Sequence, residues 1–332
     1  MNLITGASGL VGSWLLLELS KRGKPIRAMK RSDSSIEPVK KLFTEFLDLS
    51  YFEKIEWVDA DLLNLPSLEK SMDGVETVFH TAAFISFDAR DRKEIYKNNV
   101  TGTENLVNTA TAAKVQNFVL LSSVSALDID ENKKIIDENS KWNPELPHSW
   151  YAISKKRSEL EFFRISEEFG VNILIVNPSV IIGSLNASRA SESLFERSLK
   201  KKAFSTGGKT GFVDVRDVAF CLAELVEENK WNQKFILNSE NKHFYEVIDF
   251  IRQEIKLKKA YLISDSKLKW LKKLSKLNRL FGGLVIDDAT YIALTGITEY
   301  SNEKVKSALN FKFIPVEESL SFHRQRFERL KS

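Results

Sequence analysis

Short apolar segments alternate with longer amphipathic segments along the first 180 residues. The apolar segments are rich in β-branched residues and have no polar face, which is typical of buried parallel strands. They are Asn2–Thr5, Pro25–Lys30, Ile55–Val58, Thr77–His80, Phe118–Ser122 and Asn172–Asn177. The amphipathic segments between them predict helices over Leu10–Lys21, Val39–Leu49, Glu94–Ala113 and Trp150–Phe169. This alternation predicts an α/β fold in which helices cover both faces of a doubly wound parallel sheet.

The pattern changes after about residue 180. Residues 184–211 are rich in Ser, Lys and Gly and indicate a loop with one helix, whereas Gly211–Val215 and Phe235–Asn238 are predicted to return to the sheet. From Phe244 onward the chain is mostly helical. We therefore expect a sheet core of residues 1–180 and about 212–240. A smaller, mostly helical C-terminal lobe takes about 181–211 and 241–332.

Composition excludes several classes of protein. Among 332 residues, 43% are hydrophobic and 28% are charged, which is ordinary for a soluble globular chain and not for a disordered one. One cysteine, Cys221, cannot form an internal disulfide, and the four histidines lack metal-ligand spacing. No apolar run reaches the roughly 18 residues of a membrane span. A glycine turn beginning at Gly6 leaves no room for a signal peptide, so we expect a cytoplasmic, metal-free protein.

The first strand is followed by the glycine-rich turn Thr5-Gly6-Ala7-Ser8-Gly9-Leu10-Val11-Gly12. Gly6 permits the tight turn, Gly9 lets the backbone approach a pyrophosphate, and Gly12 lets helix and strand pack closely. The N-terminus of the following helix presents free N–H groups to the phosphates. This context predicts a dinucleotide-binding turn in a Rossmann core, with a purely structural turn as the alternative.

The end of the second strand bears on the choice of dinucleotide. A site for NAD usually places Asp or Glu there, to accept a hydrogen bond from the ribose 2′-hydroxyl. Here Lys30 and Arg31 stand in that place, and they would attract a 2′-phosphate. We therefore predict NADP(H) as the preferred cofactor. NAD(H) stays open as the alternative, because Asp33 lies close enough in sequence to bind the ribose.

Tyr151 and Lys155 are four residues apart in a predicted helix and therefore share one face. Lowering a tyrosine pKa from about 10 to about 7 requires roughly 4 kcal/mol, and one ammonium about 4 Å away supplies about that much at an effective dielectric of 20. Such a tyrosine can transfer a proton to or from a carbonyl or carbinol oxygen. Ser122 and Ser123 end the fifth strand, at the edge where parallel sheets bind ligands.

At this point the sequence resembles the extended short-chain dehydrogenase/reductases over nearly its whole length. The turn Thr5–Gly12 resembles their TGxxGxxG motif, and Tyr151–Lys155 with Ser122-Ser123 resembles their catalytic YxxxK and serine. Five further segments resemble family elements in the same order: Asp59–Leu62, Phe79–Ala83, Asn99–Leu106, Asn177–Val180 and Phe212–Ala219. The tail Glu303–Leu309, with Phe311 and Pro315, resembles the family's C-terminal motif.

The resemblance implies a role for each matching residue. Tyr151 is then the general acid/base, Lys155 holds the ribose and lowers the tyrosine pKa, and Ser123 orients the substrate, with Ser122 as the alternative. His80 is expected to be structural. The implied cofactor contacts, which include the turn and the two cations, are Thr5, Gly6, Ser8, Gly9, Leu10, Val11, Gly12, Lys30, Arg31, Asp61, Leu62, Thr81, Ala82, Ala83, Asn99, Ser122, Tyr151, Lys155, Pro178 and Val180.

Three function classes follow. The first is an NADP(H)-dependent reductase of a ketone or aldehyde, similar to dihydroflavonol reductases. The second is an NAD-dependent nucleotide-sugar epimerase or dehydratase, which keeps its cofactor. Lys30 and Arg31 favour the reductase, as does Asn177-Pro178-Ser179 in place of the epimerase R-x-x-N-x-Y-G-P pattern. The third is a catalytically idle relative, which the intact Ser, Tyr and Lys disfavour. The family also implies a homodimer through the Glu94–Ala113 and Trp150–Phe169 helices.

Basic charge is concentrated in one segment. Residues 252–279 contain ten Lys and Arg but only two acids, while the whole chain has a net charge of +4. Because the excess is local, we expect no nucleic-acid binding. In the overlapping stretch Ser266–Phe281, apolar residues recur at helical spacing at Trp270, Leu274, Leu277 and Phe281, and Gly282-Gly283 are predicted to end the helix. We interpret this as a lobe helix with a solvated face, the alternative being contact with a membrane surface or an anionic substrate.

Overall fold

Seven parallel strands form the central sheet of the protein. The computed structural model describes residues 1–86, 88–129, 134–186, 192–278 and 286–331. Its strands are β1 (Asn2–Thr5), β2 (Ile26–Lys30), β3 (Glu56–Asp59), β4 (Thr77–His80), β5 (Asn117–Leu121), β6 (Ile135–Ile136), β7 (Asn172–Pro178), β8 (Val180–Ile182), β9 (Phe204–Ser205), β10 (Lys209–Asp214), β11 (Gln233–Leu237), β12 (Glu240–His243), β13 (Tyr261–Leu262) and β14 (Glu299–Tyr300). Seven of them form the central sheet in the order β11-β7-β5-β4-β1-β2-β3, with every pairing parallel.

Helices flank this sheet and make up most of the C-terminal part. They are α1 (Leu10–Lys21), α2 (Glu37–Phe46), α3 (Leu49–Glu53), α4 (Leu65–Lys70), α5 (Arg92–Ile95), α6 (Gly102–Ala112), α7 (Trp150–Phe169), α8 (Ser193–Ser198), α9 (Val215–Glu227), α10 (Phe244–Glu254), α11 (Asp265–Asn278), α12 (Asp288–Thr295), α13 (Glu303–Leu309) and α14 (Val316–Lys331). The predicted doubly wound α/β fold is confirmed. Strand order reverses between β1 and β4, and a parallel sheet binds ligands beyond the carboxyl ends of its strands at such a point.

The central strands are buried on both faces, as their continuous apolar runs predict. Leu3 and Ile4 are adjacent on β1 and both are fully buried, yet they belong to two different apolar clusters. Ile4 packs with residues of α1 and α9, while Leu3 packs with residues of α6 and α7. Successive strand residues point to opposite faces, so each face needs its own apolar set.

One predicted return to the central sheet is wrong. Phe235–Asn238 supplies β11 of that sheet, but Gly211–Val215 does not join it. Instead β10 pairs parallel with β8 and antiparallel with β12, which makes a separate three-stranded sheet. Phe212 from β10 packs with Phe195, Leu320 and Phe327 in an apolar cluster of the C-terminal part. An apolar run predicts a strand but not the sheet that it joins.

The helix predicted over Glu94–Ala113 is divided. α5 and α6 are separated by the π-helical segment Tyr96–Thr101, which contains Asn99. The Asn99 carbonyl accepts hydrogen bonds from Thr103 Oγ1 at 2.5 Å and Ser158 Oγ at 3.2 Å. Wide π turns are frequent at functional sites, and this one brings Asn99 close to the candidate site.

Helix α11 packs through a face that its apolar spacing does not indicate. Trp270 and Leu274 are exposed by 62% and 36%, whereas Leu268 and Ser275 are buried. Phe281, Gly282 and Gly283 lie outside the described residues. The helix does have an exposed face, and Trp270 and Leu274 lie on it.

Candidate active site

The glycine turn follows β1 at the carboxyl edge of the sheet. Gly6 has a φ of +68°, which only glycine adopts without strain, and a Cβ there would lie 2.7 Å from the Ala82 backbone. A Cβ at Gly12 would lie 2.2 Å from the Gly6 carbonyl oxygen. Gly9 immediately precedes α1 as its N-cap, and its amide donates to Gly6 O at 2.8 Å. Ser8 lies within this turn, and Leu10 and Val11 are the first two residues of α1.

The backbone of this turn has the features that a dinucleotide pyrophosphate requires. The N-cap residue of α1 is Gly9, which has no side chain to cap the helix, and the first turn of the helix carries no acid. The free N–H groups and the positive end of the helix dipole are what a phosphate requires. The three glycine positions leave no space for a Cβ, so the backbone itself forms the cradle. The residues present fit the group.

Thr5 connects the turn to the end of β4. Its hydroxyl accepts from the Ala82 amide at 3.3 Å and is 2.8 Å from His80 Nδ1, while Thr81 Oγ1 donates to the Thr5 carbonyl at 2.7 Å. Thr81, Ala82 and Ala83 therefore pass directly beside the glycine turn. The structure brings these predicted cofactor contacts together.

Lys30 and Arg31 both lie beside a carboxylate. Lys30 ends β2 and pairs with Asp59 at the end of β3, and only 18% of its side chain is exposed. The Arg31 guanidinium is 3.5 Å from Asp33, and its side chain is 61% exposed. A 2′-phosphate would therefore meet Lys30 already in an ion pair and Arg31 in solvent, where a weak surface pair is easily exchanged.

Asp61 and Leu62 follow β3 at the same edge of the sheet. Asp61 Oδ1 accepts from the Leu63 amide at 2.8 Å, which holds the turn after the strand. The Leu62 carbonyl accepts from Asn105 Nδ2 at 2.8 Å, and this contact ties the segment to α6. On the opposite half of the sheet, Pro178 ends β7 beside Leu237 and Val180 begins β8 with 40% of its surface exposed.

Asn99 is buried and linked to both sides of the site. Its amide exchanges hydrogen bonds with the backbone of Phe84, through N–H to Oδ1 at 2.7 Å and Nδ2 to O at 2.9 Å. Nδ2 also donates to Ser154 Oγ at 3.0 Å on α7. Because both partners are protein groups, the structure supports a positioning role for Asn99 next to the cofactor segment.

Ser123, Tyr151 and Lys155 meet at the carboxyl end of β5. Tyr151 and Lys155 occupy the first two turns of α7, whose N-terminus is capped by Ser149 Oγ. The Tyr151 and Ser123 side chains are hydrogen-bonded. The Lys155 ammonium lies 5.9 Å from the Tyr151 ring centroid and donates to the Leu121 carbonyl at 2.7 Å. The three residues named for catalysis thus form one cluster.

Burial changes the acidity of this cluster. It raises the pKa of Tyr151 to about 12, while the hydrogen bond from Ser123 acts to lower it. It also lowers the pKa of Lys155 to about 8, against the attraction of Glu159. One ammonium is therefore not enough to bring the Tyr151 pKa close to neutral in this structure, because desolvation of the phenolate acts in the opposite direction.

His80 belongs to a buried chain of side chains. Its Nδ1 contacts Thr5 Oγ1 at 2.8 Å and its Nε2 contacts Thr103 Oγ1 at 2.9 Å, which is 3.2 Å from Ser158 Oγ. Burial and the nearby charge of Lys155 lower the pKa of His80 to about 3. A neutral imidazole bonded at both nitrogens supports the structural role expected for His80.

Glu159 is a buried group beneath the cluster that the sequence analysis missed. Its carboxylate accepts from Ser122 Oγ, Asn177 Nδ2 and Lys234 Nζ. The Ser122 hydroxyl therefore donates to Glu159, whereas Ser123 is the serine that is hydrogen-bonded to Tyr151. The available signal was spacing, because 151, 155 and 159 recur every four residues and lie on one helix face.

Fold and site together define a class: a Rossmann-type protein with a dinucleotide turn and a Ser–Tyr–Lys cluster. Residues 2–238 match the NAD dependent epimerase/dehydratase family. The chain belongs to this family and is an NAD(P)-dependent oxidoreductase of the extended short-chain dehydrogenase/reductase type.

Similar sequences are reductases. Cinnamoyl-CoA reductase 1 of Petunia hybrida is 26% identical over 257 residues, which is 75% of each chain. A putative dihydroflavonol 4-reductase of Synechocystis is 30% identical over 218 residues, covering 65% of this chain and 60% of that protein.

Similar solved structures cover the whole chain. The crystal structure of gox2253 is 26% identical, with a TM-score of 0.84 over 99% of this chain and 98% of that one. UDP-glucose 4-epimerase of Thermotoga maritima is 17% identical, with a TM-score of 0.78 over all of both chains. At this low identity, the similarity to the epimerase shows a shared fold only.

No helix within the described residues is both long and apolar enough to cross a membrane. In the same residues, no group of three or more His, Cys, Asp or Glu side chains is arranged to hold a metal ion.

Proposed function

We propose that the protein is an NADP(H)-dependent reductase of a ketone or aldehyde carbonyl in a small organic substrate. The observation that carries this proposal is the cluster of Ser123, Tyr151 and Lys155 at the sheet edge that also bears the glycine turn. The reductase names of the similar sequences agree with it.

Each residue of the cluster has one task in this proposal. Ser123 Oγ donates a hydrogen bond to the substrate oxygen, and Tyr151 Oη gives that oxygen its proton. The ammonium of Lys155 lies beside the phenolate that remains on Tyr151, and this positive charge offsets the cost of a buried negative charge. When bound, the reduced dinucleotide supplies the hydride that the carbonyl carbon accepts. The glycine turn and Thr81–Ala83 would hold its phosphates and ribose.

The test of this assignment is Tyr151→Phe. The proton donor is lost while the ring and its packing stay, so we expect turnover of a responsive aldehyde or ketone to fall by about 10³-fold. Affinity for NADPH, followed by fluorescence, should stay within a few-fold of the wild type. Tyr96→Phe is the matched control, since Tyr96 is exposed and its ring lies beside Arg157 of α7, away from the catalytic cluster. Full turnover in Tyr151→Phe would refute the assignment.

The preference for NADP(H) rests on the two cations after β2. We expect Arg31→Ala to weaken NADPH binding about tenfold, since one charge-assisted contact to a phosphate is lost. Binding of NADH, which has no 2′-phosphate, should be unchanged and serves as the internal control. Equal effects on both cofactors would refute a role in recognising that phosphate.

The second candidate is an NAD-dependent nucleotide-sugar epimerase or dehydratase. The ion pair of Lys30 with Asp59 favours it, because this pair leaves Lys30 less available for a 2′-phosphate. Nucleotide released from the purified protein by denaturation separates the candidates. Retained NAD at one equivalent favours the epimerase, and a protein that releases none but binds NADPH favours the reductase.

A further inference from the structure

Glu159 connects α7 to three strands beneath the catalytic cluster. It is fully buried, and Oε1 accepts from Ser122 Oγ and Asn177 Nδ2, both at 2.7 Å. Oε2 accepts from Lys234 Nζ at 2.8 Å. These partners come from the end of β5, from β7 and from β11. Asn177 Nδ2 also donates to the Ser123 carbonyl at 2.8 Å, so the same network fixes the backbone of the proposed substrate-orienting serine.

Glu159 is also one helical turn from Lys155. The Lys155 side chain is only 4% exposed, and a buried ammonium tends to lose its proton unless a negative charge lies close. Burial lowers the pKa of Lys155 to about 8, and the charge of Glu159 opposes that change.

Other charged or titratable groups around the pair act differently. Lys234 and Lys156 face Glu159, the latter at 4.0 Å, and both are cations that would not stabilise a second ammonium. His80 faces Lys155 from β4 and is neutral, since its pKa is lowered to about 3. Tyr151 faces Lys155 as a neutral phenol, because burial raises its pKa to about 12. The charge on Glu159 therefore counters the burial of Lys155.

We propose that Glu159 is a positioning residue, which keeps Lys155 an ammonium beside Tyr151 through its negative charge and holds Ser123 through Asn177. This inference rests on the proposed roles of Tyr151 and Lys155, because Glu159 touches no reacting atom. In this inference a buried carboxylate behind the catalytic cluster maintains the charge of the catalytic lysine.

Two variants break the ion pair between Glu159 and Lys234, one by removing the carboxylate and one by removing the cation. Together they distinguish an effect of the negative charge of Glu159 from an effect of its contacts between α7 and the strands. Glu159→Gln removes the negative charge and keeps the size and one acceptor oxygen for Ser122 and Asn177. Lys234→Met removes the cation and leaves the carboxylate. If Glu159 acts by its charge, the two variants have different effects on Lys155. If Glu159 is only a tether between α7 and β11, the two variants act alike.

The charge state of Lys155 can be measured in the protein without cofactor. Trace acetylation by labelled acetic anhydride across a pH series gives the pKa of each lysine, because only the neutral amine reacts and peptide mass spectrometry identifies it. We expect the Lys155 pKa to fall by about one unit in Glu159→Gln, the scale of one charge lost at a buried site. In Lys234→Met it should not fall. An unchanged pKa in Glu159→Gln, or an equal fall in both variants, would overturn the proposal.

A second readout uses the pH profile of carbonyl reduction. The high-pH limb of kcat/KM should move to lower pH in Glu159→Gln, and to the same extent in Glu159→Gln with Lys234→Met. The double variant removes Lys234, the lysine hydrogen-bonded to Glu159, together with the carboxylate, so it also guards against misfolding of the single variant. A wild-type limb in the folded double variant would contradict the proposal. A failure of the proposed function would be seen in a different experiment, as full turnover in Tyr151→Phe.

Discussion

The carboxyl edge of the central sheet and helix α11 contrast in how their side chains are fixed. At the sheet edge, buried polar groups such as Glu159 and Thr103 have partners on two or more other elements. On α11 a tryptophan is 62% exposed while Ser275 is buried. Side chains of the first region are thus fixed by buried contacts to several elements, whereas α11 is held to the α12 segment mostly by exposed contacts, such as those of Lys272 with Asp288 and of Asp265 with Tyr291. Proton transfer requires the first kind of region, since it depends on distances fixed to a fraction of an ångström.

The contrast is sharpest in stability. Phe118 is fully buried on β5, where its ring packs against Phe162 at 6.2 Å between centroids, and Trp270 is exposed. We expect Phe118→Ala to lower the free energy of unfolding by about 3–5 kcal/mol. Trp270→Ala, the larger truncation, should change it by less than about 0.5 kcal/mol. Urea unfolding followed by circular dichroism measures both, and equal losses would show that α11 packs through Trp270.

A similar contrast is expected in the pH dependence of stability. Burial raises the pKa of Asp217 to about 7, although its carboxylate accepts from the Ile314 amide at 2.8 Å. At this carboxyl the folded protein therefore binds more protons than the unfolded chain between about pH 4 and 7, so the contribution of Asp217 to stability falls as pH rises through that window. His80, whose pKa burial lowers to about 3, contributes in the opposite direction and is unchanged in the variant below.

Asp217→Asn should remove that fall, because an amide keeps the acceptor oxygen and does not ionise. The gain at pH 8 is at most about 4 kcal/mol, at 1.36 per pH unit. Asp265 on α11 has its pKa lowered by hydrogen bonds to Tyr291 and Lys269, so Asp265→Asn should leave this window unchanged. Urea midpoints from pH 4 to 8 test both, and a wild-type slope in Asp217→Asn would contradict the prediction.

The smallest expected effect on stability comes from a comparison of substitutions at two glycines, Gly12 and Gly207. Gly12→Ala places a Cβ 2.2 Å from the Gly6 carbonyl, so the dinucleotide turn must shift. We expect a loss of about 2 kcal/mol in stability and a fall of tenfold or more in NADPH affinity. A Cβ at Gly207 meets no heavy atom within 4 Å, and Gly207→Ala is the control. Wild-type NADPH affinity in Gly12→Ala would show that the turn does not hold the phosphates.

Much of the core follows from local pattern. The bounds of β1, β4, α1 and α7 agree with those predicted, because strands buried on both faces and long helices have strong periodic signals. The π-helical segment around Asn99 was not predicted, since a widened turn has no distinct apolar period. Likewise the strand at Gly211–Val215 was placed in the wrong sheet, because strand pairing depends on distant neighbours.

The sequence by itself determined the α/β class, the glycine turn and the order of the family motifs, since each depends on residues close together in the chain. Spacing also placed Tyr151 and Lys155 on one face of a helix. Only the tertiary structure decided which serine faces Tyr151, how burial opposes Lys155 in setting the acidity of that phenol, and that Lys30 pairs with Asp59. The physical reason is that desolvation and long-range hydrogen bonds depend on elements far apart in sequence, such as Glu159 and Lys234, which are brought together only when the sheet is complete.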